Sequence, residues 1–543
     1  MSTRQKRFTN RIVIASLALM VAVLLQSPEA AAAQSVDVDV CVYGGTSGGV
    51  IAAVEAARMG RSVALIVVNN HLGGMTSGGL GQTDVGSFGV GYIQGMAREF
   101  YTRVGQKYGT GAKFTFEPHV TETVFNEMAQ QAHVAIYTNQ YLVSVATRSN
   151  ASIASITMNN SNVFRAKVFI DASYEGDLMA MAGVTYTIGR EASSQYGESL
   201  DGVRAPNTSG HQFGSTPVSP YVVSNEPASG LLPLMQSNRV AAIGSADRRV
   251  QAYNFRLCLT QNATNKLPIV APANYSPGQY ELLARYIRAS VAHGSKLSMR
   301  SFMGIYSMPD GKTDINNNGP ISTDFIGQSD SYAEASPAMR AQIWQAHKNY
   351  TQGFFYFLTT DDRVPPALRT QIQSYGLCRD EFADNGGWPY QLYVREARRM
   401  ISDYVITQSN CLGKATVPDS IGLAAYAMDS HNCERLVVDG NAQNEGDTYS
   451  VGRIPGLWQI PYRAIIPKAG QCPNLLVPWC VSASHIAFGS YRMEPVFMIA
   501  AQSAGAAACL AINDGIPVQQ LDYGKLKPQL LADHQALETG DGK

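Results

Sequence analysis

The 543-residue chain has no excess of either charge: 42 Lys and Arg balance 42 Asp and Glu, and only 15% of residues are charged. A neutral balance without basic or acidic runs excludes the electrostatic footprint of a nucleic-acid binder, or of a protein held on a membrane by charge. The eight cysteines contain no Cys-x-x-Cys, which removes a dithiol redox centre and a zinc ribbon. The nine histidines contain no His-x-x-x-His, and no metal is expected. Beyond the N-terminal residues, no stretch reads as long and apolar enough to span a membrane. Internal repeats and low-complexity tracts are absent as well.

What is present begins with a processing signal. Arg4, Lys6, Arg7 and Arg11 precede an apolar run from Ile12 to Leu25, and Ala31-Ala32-Ala33 offers a small-residue cleavage site. Residues 1–33 therefore read as a cleavable signal peptide, with an uncleaved anchor as the alternative. The expected product is secreted or periplasmic, without stable membrane insertion after processing. Such a compartment permits disulfides; Cys411 with Cys433 and Cys472 with Cys480 are candidates by proximity, while Cys41 and Cys509 read as buried thiols.

The densest chemical signal follows at once. An alternating run, Val36 to Val42, leads into Gly44, Gly45, Thr46, Ser47, Gly48 and Gly49, and then into a small-residue helix, Val50 to Arg58. Strand, glycine turn and helix start in this order present backbone N–H groups and a positive dipole end to a pyrophosphate. Against the dinucleotide fingerprint, Thr46 replaces the middle glycine and Val67 stands where a ribose-binding acid belongs; Asn69 or Asn70 is the nearest polar substitute. The same loop spells Gly-x-Ser-x-Gly at Gly45 to Gly49. A hydrolase elbow would need an earlier strand and loop for its oxyanion hole, so Ser47 is not expected to be a nucleophile.

A buried strand over 62–68 closes a βαβ unit, and a second glycine cluster runs from Gly73 to Gly81. The pattern predicts helices over 92–108, 120–132, 280–292, 389–406 and 494–512, a β-meander over 134–170, and a short strand over 474–478. Asp314 to Gly319 superficially matches a calcium loop, but Phe325 occupies the twelfth position, so a turn is predicted. The expected fold is α/β: a Rossmann-type FAD-binding domain, built from a parallel sheet plus a β-meander, with a large inserted α+β substrate domain. Its parts would be 36–183 and 455–515, with the insert at 184–454 and a tail at 516–543.

FAD enters that expectation through a resemblance. The run from Cys41 to Gly86, the segment 169–177, Gly189-Arg190-Glu191 and the stretch from Ile460 to Ala508 resemble the FAD-dependent oxidoreductase family of glutathione-reductase-like flavoproteins, many of them labelled xanthan-lyase-like. Tyr253 to Arg256, Thr323 to Phe325 and Asn385 to Pro389 fit as well. The most specific blocks are His71 to Gly79 and Ser482 to Ser490. The resemblance implies FAD, with Gly44 to Gly49 on the pyrophosphate. It implies His71, Gly73, Gly74, Met75, Thr76, Ser77 and Gly78 beside the ribityl–isoalloxazine region. Asp171, Ala172, Ser173, Gly176 and Asp177 would close the site, Cys480 would lie near the ribitol, and the helix start from Arg492 to Pro495 would face the pyrimidine. Val67 and the Trp479-Cys480 pair depart from the family pattern.

The expected function is an exported FAD-dependent oxidoreductase. It would take hydride from a carbon bearing hydroxyl or amine to flavin N5 and pass electrons to oxygen or an external acceptor, with a small-molecule or carbohydrate substrate. His485 is the expected general base, with a structural histidine as its alternative role, and Arg492 the expected stabiliser of charge. Arg190, Glu191, Tyr253 and Arg256 are weaker candidates, and covalent flavin attachment through His71 is not expected. The alternative function is a flavin-containing polysaccharide lyase working by β-elimination.

Overall fold

The computed structural model describes residues 33–236 and 239–540; the predicted signal segment, save its last residue, lies outside them. The N-terminal alternation becomes β1 (Ser35–Tyr43), whose outer half alternates in exposure and whose inner half, Val40 to Tyr43, is buried throughout. It continues through the glycine turn into the Ser47–Arg58 helix and returns as β2 (Val63–Ile66). Four further strands, β3 (Ala135–Tyr137), β4 (Leu142–Thr147), β5 (Ile153–Met158) and β6 (Val163–Asp171), complete a sheet in the order β3-β2-β1-β6-β5-β4. β1, β2, β3 and β6 run parallel, whereas β4, β5 and β6 form an antiparallel meander. The predicted meander thus begins only at Leu142, because Ala135–Tyr137 joins the parallel half.

One edge of β6 is shared. Its first residues pair with β5, and Phe169 and Ile170 pair in parallel with Leu475–Leu476, which returns the C-terminal part of the chain to the sheet. The Glu494–Asp514 helix follows. Among the described residues it alone is long and apolar enough to cross a membrane, contrary to the sequence expectation, yet it is buried inside the protein. Small residues let it lie close to the first helix: a Cβ on Gly505 would stand 2.7 Å from the Ala52 carbonyl, and one on Gly48 2.5 Å from Phe497.

The middle of the chain builds a five-stranded antiparallel sheet, ordered Met303–Ser307, Lys312–Asn317, Leu257–Thr260, Gly376–Cys378, Lys266–Leu267, and a long Pro337–Thr360 helix that packs on the Pro366–Gln373 helix. Two expectations fail here. Asp314 to Asn317 lies in a strand, paired on both sides at Asp314 and Ile315, not in a turn. Residues 389–406 hold no helix: Arg399–Met400 pairs with Tyr186–Thr187, and Arg395, Glu396 and Arg399 are fully buried in ion pairs that fix an irregular backbone. All eight cysteines are free thiols; the two sulfurs that meet are Cys258 and Cys378, 3.4 Å apart, not the proposed neighbours in sequence. Buried apolar side chains from both sheets and the C-terminal helix share one core.

Candidate active site

The glycine turn explains its own departure from the fingerprint. Thr46 is the N-cap of the first helix: its Oγ1 accepts the Gly49 amide at 3.0 Å and donates to the Ala172 carbonyl at 2.7 Å. The threonine thus caps the helix and ties β1 to the end of β6. Gly44 sits at φ +116° against Ala172, and a Cβ on Gly49 would stand 1.8 Å from the Gly44 carbonyl. These are the tight-turn and close-packing roles of the first and third glycines in a dinucleotide loop. Val67 fills the space over Gly45, so the acid position has become an apolar contact. Asn69 and Asn70 beyond it are exposed; Asn69 accepts the His71 amide, and Asn70 accepts from Asn139.

The second glycine cluster folds onto this turn. Gly73 donates its amide to Gly45 at 2.8 Å, and Met75–Gly78 forms one helical turn. Three hydroxyls then converge on one buried carboxylate. Thr76 donates to Glu494 at 2.8 Å, Tyr174 donates to it at 2.9 Å, and Ser47 donates to the same oxygen as Thr76. The Tyr174 oxygen in turn accepts the Met75 amide at 2.7 Å. Burial pushes the Glu494 carboxyl up. Pro495 follows as the second helical residue, where its missing N–H costs nothing. Ser77 donates to the Leu72 carbonyl, and Gly78 packs on Gln391.

At the end of β6, Asp171 accepts from the Ser173 amide and hydroxyl and the Met179 amide, organising the turn; burial lifts its pKa to about 6. Gly176 takes the left-handed conformation ahead of Asp177. Asp177 accepts from Arg340 and from Arg398, with a 2.8 Å hydrogen bond to each. Cys480 lies against the Ser173 and Tyr174 carbonyls. His71 stacks on Tyr390 at 3.5 Å, with Glu122 and Asp384 at its two ring nitrogens.

Past the start of the C-terminal helix opens a cavity of about 1010 Å³. Arg492 forms part of its wall, donating to Tyr393 at 3.1 Å and to Asp429 at 3.1 Å. Arg256, also on the wall, is held by Asp314 through two hydrogen bonds. His431 presents a third feature: its Nδ1 is 2.8 Å from Asp324, and its Nε2 is 3.6 Å from Asp429. Burial raises the Asp429 carboxyl, but His431 and Arg492 outweigh it and hold it below the usual carboxylate range. At Asp84, burial prevails over Arg256 and the carboxyl is raised. Phe88, Tyr306 and Tyr449 form an exposed aromatic rim.

Of the two expected catalytic residues, Arg492 lies on this wall and His485 does not. His485 opens a helix behind it, 2% exposed, with Glu396 2.7 Å from Nδ1 and Ser430 3.0 Å from Nε2. Arg190 is buried against Asp247 and Glu445, Glu191 pairs with Arg399 and accepts the His485 amide, and Tyr253 donates to the Glu396 carbonyl. Sequence reasoning gave no role to His431, Asp324, Asp429 or Asp84; the available signals were the Thr323–Phe325 block and the Asp429-Ser430-His431 run.

The donor set fits FAD. The capped helix start offers first-turn amides that have no intrahelical acceptor. Beside the cavity, the buried Arg256 Nη1 and Arg492 Nε have no acceptor among the described residues, a surplus of donors that suits a flavin carbonyl. Among solved structures, a geranylgeranyl bacteriochlorophyll reductase-like protein from Thermoplasma acidophilum is 11% identical, matched over 92% of this chain and 85% of its own, with a TM-score of 0.38. THI4 from Thermovibrio ammonificans is 19% identical over 35% of this chain and 79% of its own, with a TM-score of 0.23. NikD, an amino acid oxidase of nikkomycin biosynthesis, is 14% identical over 29% and 57%, with a TM-score of 0.21. Similarities this loose carry no functional weight. No curated protein matches the chain. The family model described as FAD dependent oxidoreductase matches residues 39–530, nearly the whole described chain, and this protein is a member of that family, an oxidoreductase with FAD as its cofactor.

Proposed function

We propose that the cavity beside Arg492 is the site where this flavoenzyme oxidises a small hydroxyl-bearing substrate, sugar-like in character. The observation that carries the reading is His431, backed by buried Asp324 and turned toward Arg492 and Asp429 across one polar wall. Bound FAD supplies the two-electron acceptor for hydride leaving the substrate carbon. The Gly44–Gly49 turn and the Gly73–Thr76 segment would hold it, with Asn69 or Asn70 toward the ribose. Asp324 fixes the His431 ring through Nδ1, and in the neutral ring Nε2, 3.6 Å from Asp429, would take the hydroxyl proton. Arg492, braced by Tyr393 and Asp429, orients the substrate oxygen. The aromatic rim suits stacking on a sugar ring. The apolar segment from Ile12 to Leu25 supports export, and oxygen or an external acceptor would then reoxidise the enzyme.

The test is anaerobic. Purified holoenzyme is mixed with D-glucose, D-mannose, D-glucuronate and glycerol, and bleaching of the flavin band is followed. A colourless protein, or a band that none of them bleaches, sinks the reading. Ultraviolet absorbance of an unsaturated uronate without bleaching, using a uronate polymer, would replace it with β-elimination.

A further inference from the structure

The same wall carries a second histidine that the proton transfer above does not use. His211 stands at φ +56°, in the left-handed region where a non-glycine residue persists only if its surroundings impose it. Asp447 imposes it from one side: it accepts the Gly210 amide at 3.0 Å and the Tyr449 amide at 3.0 Å, and it lies 2.9 Å from His211 Nδ1. From the other side, the His211 carbonyl accepts from Asn444 at 2.9 Å and Asn432 at 3.3 Å. That many contacts on one strained loop residue fix where its ring points.

The ring faces the cavity parallel to His431, with 10° between planes and 6.1 Å between centroids. In both histidines a buried aspartate takes Nδ1, so Nε2 is the nitrogen that can meet a ligand; at His431 it also stands 3.6 Å from Asp429. We propose that His211 forms a second oxygen subsite beside His431, and that the cavity thereby selects a vicinal diol, as on a sugar ring or polyol. Two hydrogen bonds of about 2.8 Å, one to each of two hydroxyls on neighbouring carbons, suit a pair of parallel rings with centroids 6.1 Å apart. The two rings divide the work. Burial opposes charge on His211, but Asp447 outweighs it and raises its pKa, favouring the imidazolium, which only donates. It therefore suits the hydroxyl that is bound and not oxidised.

This inference rests on the cavity being the active site, and the experiment separates the two. Full-length holoenzyme and His211→Asn are compared on D-glucose, D-mannose, D-glucuronate, glycerol and the monodeoxy analogues of each reactive sugar. Asparagine tolerates the left-handed backbone; should it still unfold the loop, His211→Gln takes its place. The expected result is a KM raised about tenfold or more, from one lost charge-assisted hydrogen bond, with kcat within about threefold. One monodeoxy analogue should be equally weak with the wild type and no weaker with the variant. An unchanged KM and unchanged preference for the diol in His211→Asn, with flavin reduction lost in His431→Asn, overturns the subsite and leaves the cavity reading standing. If no compound in the set bleaches the flavin, both fall.

Discussion

Asp324 lies 2.8 Å from Nδ1 of His431, and the two come from segments 107 residues apart. The carboxylate is itself held by Arg395 at 3.0 Å, so it cannot swing away from the ring. Although burial works against its charge, Arg395 and His431 keep its pKa below the usual value. A histidine oriented by a fixed aspartate can, in its neutral form, accept a proton at its far nitrogen, which here stands 3.6 Å from Asp429. His431→Asn should therefore slow flavin reduction by roughly 10²–10⁴-fold while the visible spectrum of bound FAD is retained. Stopped-flow bleaching with a reactive sugar measures this directly; a rate within a few-fold of wild type would remove His431 from the mechanism.

His485 should behave differently. Its ring joins the carboxylate of Glu396 to the hydroxyl of Ser430, all three buried. His485→Ala takes one partner from the buried Glu396 carboxylate, which keeps Gln251 at 2.9 Å and Arg399 at 3.7 Å, a loss of about 1–3 kcal/mol. The melting temperature should fall by several degrees. Any loss of rate should be smaller than in His431→Asn, because Ser430 adjoins His431 in the chain and His485 acts on the wall only through it. A variant that melts like wild type yet cannot reduce its flavin would return the catalytic role to His485.

The glycine turn gives a sharper prediction. Gly49→Ala would place a methyl 1.8 Å from the Gly44 carbonyl, a contact that only backbone displacement relieves. The turn and the helix start would separate, and the protein should be recovered colourless or largely insoluble. Gly456→Ala is a fair control for loss of a glycine without a clash, since its φ is not positive and nothing lies within 4 Å of its Cβ. Yellow, soluble Gly49→Ala with normal FAD content would refute the close-packing role.

Why the turn was legible and His431 was not follows from the range of the interactions. β1, the glycine turn and the first helix are written in a local pattern: alternating valines, then glycines, then alanines. The Ala-rich Glu494–Asp514 helix is likewise local. Residues 389–406 misled because Arg395, Glu396, Arg398 and Arg399 imitate the charged face of a helix, whereas their partners, such as Asp324, Asp177 and Glu191, lie far away in sequence. Asp314 looked like a turn residue, yet Ile315 pairs on both sides and buries that strand in the middle of a sheet. Apart from the Asp429–His431 pair, the site is assembled at long range. Ser47 meets Glu494 across 447 residues, and no periodicity could announce it.

Tyr174 completes that junction. Its hydroxyl accepts from Met75 and donates to Glu494, bridging the second glycine cluster and the C-terminal helix. Tyr174→Phe keeps the ring packed against Trp479 and removes both bonds. Leaving a buried amide and a carboxylate oxygen short of a partner costs about 1–3 kcal/mol. Thermal melts should show the loss, and FAD should dissociate more readily on dilution, because Met75 and Thr76 flank the cofactor turn. Unchanged stability and unchanged FAD retention would mean the bridge is dispensable.

The pH dependence of stability should centre on Asp201. Its carboxyl is 2% exposed; burial, then Glu191 and Glu198, raise its pKa to about 9 from 3.8. Glu198 and Asp201 each keep one buried oxygen without a donor, which a single shared proton satisfies. Between pH 3.8 and about 9 the folded chain holds that proton and the unfolded chain does not. Stability should consequently fall as pH rises through this window, by at most about 1.4 kcal/mol per pH unit, and level off above it. Asp201→Asn supplies a permanent donor of the same shape and should flatten the decline. Urea midpoints at pH 5, 6, 7 and 8 for both proteins test this; parallel curves would show that Asp201 is ionised in the fold, and that Glu198 faces a charge where a proton is expected.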